Sequence, residues 1–275
     1  MKQDSRLIAQ EAKALEQQFR ANDYHGSSSN PTVLVKKGNL PLILSAPHAV
    51  FHPRNGKEKE NELYTGALAL QVASYTGASA IVHARTSEED PNYDPPGPYK
   101  ETLRLLVEEI QPICVLDIHG MAKGYAKDIC IGTVYGKSLR ERGWILGWLQ
   151  DSLRAHDMNI GVDDPFDANI PNTITFFTST KLSTPALQLE IDGLFREPGV
   201  HPRAYAQLVS ALIHAVTRIT DEVHHPKTLQ PKPPLEWHAD VEAHKRLLQE
   251  ARKQRKQYPP TGEIWVYPNL QEEED

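Results

Sequence analysis

Cysteine is scarce in this chain of 275 residues: it has two, Cys114 and Cys130, each inside an apolar run. Two thiols so placed cannot build a disulfide framework or a thiolate metal site, and they read as reduced core residues. Long apolar stretches are missing as well. No run approaches the ~18 consecutive apolar residues of a membrane span, and the start, Met1-Lys2-Gln3-Asp4-Ser5-Arg6, leads into a charged amphipathic stretch instead of an apolar signal core. The expectation is a cytoplasmic protein with no membrane partner. Strong charge of one sign is also lacking, since 30 basic residues face 36 acidic ones for a formal charge of −6. Glu272, Glu273, Glu274 and Asp275 sit together at the end, so the body is nearly neutral. So weak a field argues against electrostatic capture of nucleic acid or an anionic membrane as the main activity. There is no internal repeat.

What is present is enough apolar sequence, 39%, for one sizeable core. Ile8, Ala12, Leu15 and Phe19 recur at helical spacing and predict an N-terminal amphipathic helix over about the first 22 residues. Residues 32–35 and 40–45 read as two short strands, either a hairpin or successive, followed by a polar loop to about Lys59. Helical spacing through Leu63, Ala67 and Leu70 ends at Gly77, and a strand resumes at 78–83. A third helix opens at Pro98, and Ile113-Cys114-Val115-Leu116-Asp117-Ile118 is a strand of the doubly covered kind. Further strands are expected at 129–134, 173–178 and 186–191, and helices near 138–156 and 202–223. This alternation predicts an α/β fold, a mixed and mostly parallel sheet with helices on both faces, over residues 1–224. Residues 225–275 read as an appendage: a Pro-rich linker through Pro234, a basic helix with Lys245, Arg246, Arg252, Lys253, Arg255 and Lys256, and the acidic tail.

The twelve histidines are the informative feature. In an open α/β sheet ligands bind beyond the carboxyl ends of the strands, and His48 and His119 both stand just after apolar strands. Asp117 shares a strand face with His119 and can orient it as a ligand. In Leu187-Gln188-Leu189-Glu190-Ile191-Asp192 polar and apolar residues alternate. The simple reading is an edge strand with a solvated face; in a covered sheet Glu190 instead needs a charged partner, and a metal-bound water fits. Two histidines and a carboxylate make an established zinc set with an open fourth position. Glu58, Glu60 and Glu62 all lie near enough in sequence to supply the carboxylate, and spacing does not choose among them.

Four short motifs in order carry a resemblance: Ser45-Ala46-Pro47-His48, Glu62-Leu63-Tyr64-Thr65-Gly66, Asp117-Ile118-His119-Gly120-Met121 and Leu187-Gln188-Leu189-Glu190. Together they resemble the N-formylglutamate amidohydrolase family, which is similar in fold and site to zinc carboxypeptidases. The resemblance implies one Zn2+ per chain on His48, Glu62 and His119, with Glu190 as the general base. It also implies hydrolysis of an N-formyl or other N-acyl amide of a small amino-acid-like substrate. Phe51 stands where the carboxypeptidase His-x-x-Glu has its glutamate, and Asp90-Pro91-Asn92-Tyr93-Asp94 replaces the family's Asn-Arg pair. Arg196, after the Glu190 motif, and Arg85 are then the cations expected to meet the substrate, with Lys100 behind them. A zinc peptidase, or a catalytically silent binding protein on the same fold, are the alternatives. His52, His83, His201 and the His224-His225 pair are expected to be structural.

Overall fold

A computed structural model describes residues 5–122 and 124–224, together with Arg246, Gln249, Glu250, Arg252 and Lys253. The expected linker and the rest of the basic segment and tail lie outside the described residues. In chain order the elements are α1 (Ser5–Tyr24), β1 (Val33–Lys36), β2 (Leu42–Ala46), β3 (His52–Arg54), β4 (Lys57–Lys59), α2 (Thr65–Thr76), β5 (Ser79–His83), α3 (Pro98–Ile110), β6 (Cys114–Gly120), β7 (Ile129–Gly132), α4 (Trp144–Ala155), β8 (Ile160–Val162), α5 (Ile174–Lys181), β9 (Ala186–Ile191), α6 (Gly193–Arg196) and α7 (Pro202–His224).

Seven strands form one sheet in the order β1-β5-β2-β6-β9-β7-β8, with β5, β2, β6 and β9 parallel. β1 and β7 run antiparallel to their inner neighbours β5 and β9, so the sheet is mixed and mostly parallel. Chain connections leave β2 toward β5 on one side and β6 toward β9 on the other. That reversal opens a crevice at the carboxyl ends of β2, β6 and β9, where such sheets hold ligands.

Side chains alternate across these strands with period two. Leu42, Leu44, Leu116, Leu187 and Leu189 pack into the main core with α1, α2, α4 and α7. Ile43, Ile81, Val115 and Ala186 face the other way, into a smaller core with Tyr99 and Leu103 of α3 and Ile174 of α5. Two residues further along each strand, that second face changes character. Ser45 pairs in register with Asp117, Asp117 with Gln188, and His119 with Glu190. The apolar part of the face thus secures the sheet, and its upper part presents a row of polar side chains to the crevice.

Several local expectations change. β1 is not the partner of a β1–β2 hairpin; it pairs with β5, which lies between them. The loop before Lys59 contains the β3–β4 hairpin. Residues 174–181 are helical instead of a strand: the Thr173 side chain caps the helix by accepting from the Phe176 N–H at 3.2 Å, which outweighs the strand preference of the β-branched and aromatic run. The helix expected from 138 starts only at Trp144, because Arg140 and Glu141 have φ of 47° and 68° and break it from a short turn at Lys137–Leu139. β9, read as an edge strand in the simple view, is central and buried along its whole length.

Candidate metal centre

His48 follows β2, His119 ends β6, and Glu62 precedes α2; the chain brings all three to one point of the crevice. Glu62 lies between the two rings. Its Oε1 is 2.8 Å from His48 Nδ1 and its Oε2 is 3.1 Å from His119 Nδ1. The backbone fixes this arrangement, since the Glu62 N–H donates to the His48 carbonyl at 2.8 Å and the Gly120 N–H donates to Glu62 Oε2 at 2.9 Å. Of the three candidate glutamates, Glu62 is the one the fold brings to both histidines. Glu58 instead pairs with His25 at 2.9 Å.

The far nitrogen of each ring is also held. His119 Nε2 lies 3.1 Å from Asp117 Oδ2, and His48 Nε2 lies 2.9 Å from Asp90 Oδ1. A carboxylate on Nε2 sets the ring's orientation and tautomer and leaves Nδ1 as the donor to a cation. Asp117 is anchored in turn by the Ser45 hydroxyl at 2.9 Å, and Ser45 meets the buried Tyr99 hydroxyl at 3.0 Å. Asp90 receives Arg54 Nε on its second oxygen at 2.6 Å. The sequence pointed to Asp117 through its strand face, but gave no local signal for Asp90.

Electrostatics follow from this geometry. Burial opposes charging of both histidines, but Glu62 with Asp90 raises the pKa of His48, and Asp117 with Glu62 raises that of His119 well above the ordinary range. Burial likewise opposes ionisation of Glu62, yet the two rings bring its pKa well below the usual carboxylate value. Three carboxylates thus converge on two imidazoles, a cluster that calls for positive charge at its centre. Two Nδ1 atoms and one carboxylate oxygen there match the donor set of a catalytic zinc.

His52 creates a second group of possible ligands with His48 and Asp90. Its ring stacks on His48 with centroids 4.0 Å apart and planes 2° from parallel. Burial, then the neighbouring His48, holds its pKa down to about 3. Arg54 already occupies the Asp90 oxygen that faces His52, so a cation in this group would meet a guanidinium.

Two cavities open on the cluster, one of about 540 Å³ and one of about 270 Å³; His48, Arg54, Glu62, Phe166 and Glu190 line both. A cleft of about 730 Å³ lies at the opposite end of the strands, beside Pro41, Ile113 and Pro185, away from this chemistry. Glu190 Oε1 accepts from Gln188 Nε2 at 2.8 Å. Burial, opposed by His119 and reinforced by Glu62, raises its pKa to about 7.

The expected cations separate. Arg196 lines the larger cavity, but its guanidinium donates to the Leu63 and Ile191 carbonyls and holds the segment after Glu62. A Cβ on Gly120 would lie 2.6 Å from Arg196 Cζ, so the close approach requires glycine. Arg85 lines neither cavity: it follows β5, one strand beyond β2, and donates to Thr32 Oγ1 at 3.3 Å. Lys100 is buried in α3 and donates to the Asp94 carbonyl at 2.6 Å, with burial lowering its pKa to about 8. Arg54, which sequence reading passed over, lies beside the cluster and lines both cavities.

No protein-family model and no curated relative matches this sequence. Among solved structures, the chain is similar to gene product Atu2144 from Agrobacterium tumefaciens, with a TM-score of 0.54 and 10% identity over 70% of this chain and 95% of that one. It is similar to N-formylglutamate amidohydrolase from Ralstonia eutropha JMP134, with a TM-score of 0.52 and 15% identity over 71% of this chain and 99% of that one. These likenesses are of fold, and the fold is that of N-formylglutamate amidohydrolase, the family that the order of the four motifs resembles.

Proposed function

We propose that the protein is a zinc-dependent amidohydrolase that cleaves an N-formyl or other N-acyl amide of a small amino-acid-like substrate. The observation that carries this reading is the convergence of His48 Nδ1, His119 Nδ1 and Glu62 on one point, beside cavities that Glu190 also lines. His48, Glu62 and His119 would hold the metal. A zinc ion there supplies a Lewis acid for the amide carbonyl and acidifies water toward a pKa of ~7.

The remaining work belongs to the chain. Glu190 accepts a proton from the attacking water and returns it to the amide nitrogen as the C–N bond breaks, leaving a carboxylic acid and an amine. Gln188 keeps the Glu190 carboxyl in place through its 2.8 Å hydrogen bond. Arg196 fixes the backbone between Glu62 and α2 and lends its positive charge to the larger cavity, where charge develops on the carbonyl oxygen.

The test is release of formate or free amine when zinc-loaded protein meets a panel of N-formyl and N-acyl amino acids. Turnover that falls by at least ~100-fold in Glu190→Gln, at unchanged zinc content, supports the proposal. A zinc-loaded protein that turns over no member of the panel, or a Glu190→Gln variant as active as the wild type, contradicts it.

A further inference from the structure

Arg54 is the one cationic side chain among the described residues that lines both cavities. It sits at the end of β3, and the β3–β4 hairpin carries it over Asp90. Two contacts pin it. Nε donates to Asp90 Oδ2 at 2.6 Å, and Cζ lies 5.1 Å from the centre of the Tyr93 ring. Neither terminal nitrogen has a protein partner among the described residues, and the side chain is 31% exposed. A guanidinium held by Nε and by one face keeps its Nη edge available as a preformed fork for a carboxylate, with little rotamer entropy left to lose. Arg196 differs in that its nitrogens are committed to backbone carbonyls. Of the acidic residues on the same rim, Glu58 is engaged with His25 and Asp167 with the Tyr135 hydroxyl at 2.7 Å.

The smaller cavity has a second distinguishing feature. Tyr93 and Ile170 are large apolar side chains left 39% and 59% exposed, and both line it together with Pro165, Phe166 and Ala168. Apolar surface around a few fixed polar groups is the pattern of a small-molecule site. Building on the amidohydrolase reading, we propose that Arg54 binds a free carboxylate of the substrate while Tyr93, Phe166 and Ile170 receive an apolar side group. The substrate class is then an N-acyl amino acid with an apolar or aromatic side chain and an unblocked carboxylate.

Binding tests this without relying on turnover. Zinc-loaded Glu190→Gln protein is titrated calorimetrically with N-acetyl-phenylalanine, its carboxamide and N-acetyl-alanine. The acid binds at least ~10-fold more tightly than the carboxamide, the scale of a charge-assisted hydrogen-bond pair. Adding Arg54→Gln abolishes that preference and leaves carboxamide affinity unchanged, whereas a merely structural role for Arg54 would weaken both. Arg54→Lys, which keeps a donor for Asp90 but lacks the fork, retains only part of the preference. N-acetyl-phenylalanine outbinds N-acetyl-alanine, and Tyr93→Ala narrows the gap. Equal affinity for acid and carboxamide, or a preference that survives Arg54→Gln because the metal alone captures the carboxylate, overturns the proposal. A protein that shows the preference but hydrolyses nothing would instead fail the amidohydrolase reading and leave the Arg54 site standing.

Discussion

His48 and Glu62 hold each other twice: the side chains meet at 2.8 Å through Nδ1 and Oε1, and the Glu62 N–H donates to the His48 carbonyl, also at 2.8 Å. The end of β2 and the approach to α2 are thereby locked in one register. The carboxylate itself cannot leave the cluster without also giving up the Gly120 N–H that donates to its Oε2 at 2.9 Å. Glu62 is therefore a preorganised donor, and the disposition of the whole centre depends on what supports these two residues.

Asp90 is the first such support. It fixes the His48 ring through Nε2, and groups of this kind are typically worth ~10–100-fold in metal affinity. Asp90→Asn is expected to weaken zinc binding by about that factor, measured by titration against a chelator of known affinity. Unchanged affinity would mean that packing against His52 is enough to orient His48.

Glu16 supports the other partner from α1. It is almost fully buried, and its Oε1 accepts from the Tyr64 N–H at 2.9 Å. Tyr64, two residues after Glu62, has φ of 63°, a strained value that needs such support. Burial raises the Glu16 pKa from 4.5 to about 8. Between those values the folded protein keeps a proton that the unfolded chain has released, so stability falls as pH rises through this window and levels off above it. Glu16→Gln should flatten that decline, so that its melting temperature gains on the wild type from pH 5 to pH 8. Parallel pH profiles for the two proteins would remove Glu16 from the account.

The C-terminal segment provides a third expectation. Arg252 Nη2 lies 2.5 Å from Oδ2 of the fully buried Asp128, whose backbone carbonyl accepts from the Asp192 N–H just beyond β9. We expect residues 1–224 to fold and bind metal alone, because all four motifs lie within them, but at reduced stability. Arg252→Ala should cost roughly 1–3 kcal/mol, as for a lost hydrogen bond to a charged group, while the exposed Arg246→Ala costs little. Thermal melts of both variants and of the truncated chain decide it. Loss of cooperative unfolding on truncation would make the tail part of the core.

How much of this was readable in advance depended on range. The Pro98–Ile110 helix and the strands holding Asp117, His119 and Glu190 were legible because their periodicity is local and their apolar runs are long. His48 and His119 were legible as residues placed after strands. Asp90 was not, since its partner His48 is 42 positions away and only the folded loop joins them. Arg54 was missed for the same reason: a three-residue strand in a hairpin leaves almost no pattern, and its role comes from lying over Asp90 and Tyr93. Residues 173–178 misled because side-chain preference suggested a strand, whereas the Thr173 cap favoured a helix.

The most direct test of the central claim is zinc stoichiometry, measured by elemental analysis on wild type, His119→Ala and His52→Gln after metal-sufficient expression. The account predicts one zinc per chain in the wild type, loss of it in His119→Ala, and retention in His52→Gln, because His119 and not His52 faces Glu62. Zinc kept by His119→Ala and lost by His52→Gln would place the ion on His48, His52 and Asp90 instead, and no zinc in the wild type would contradict the metal centre altogether.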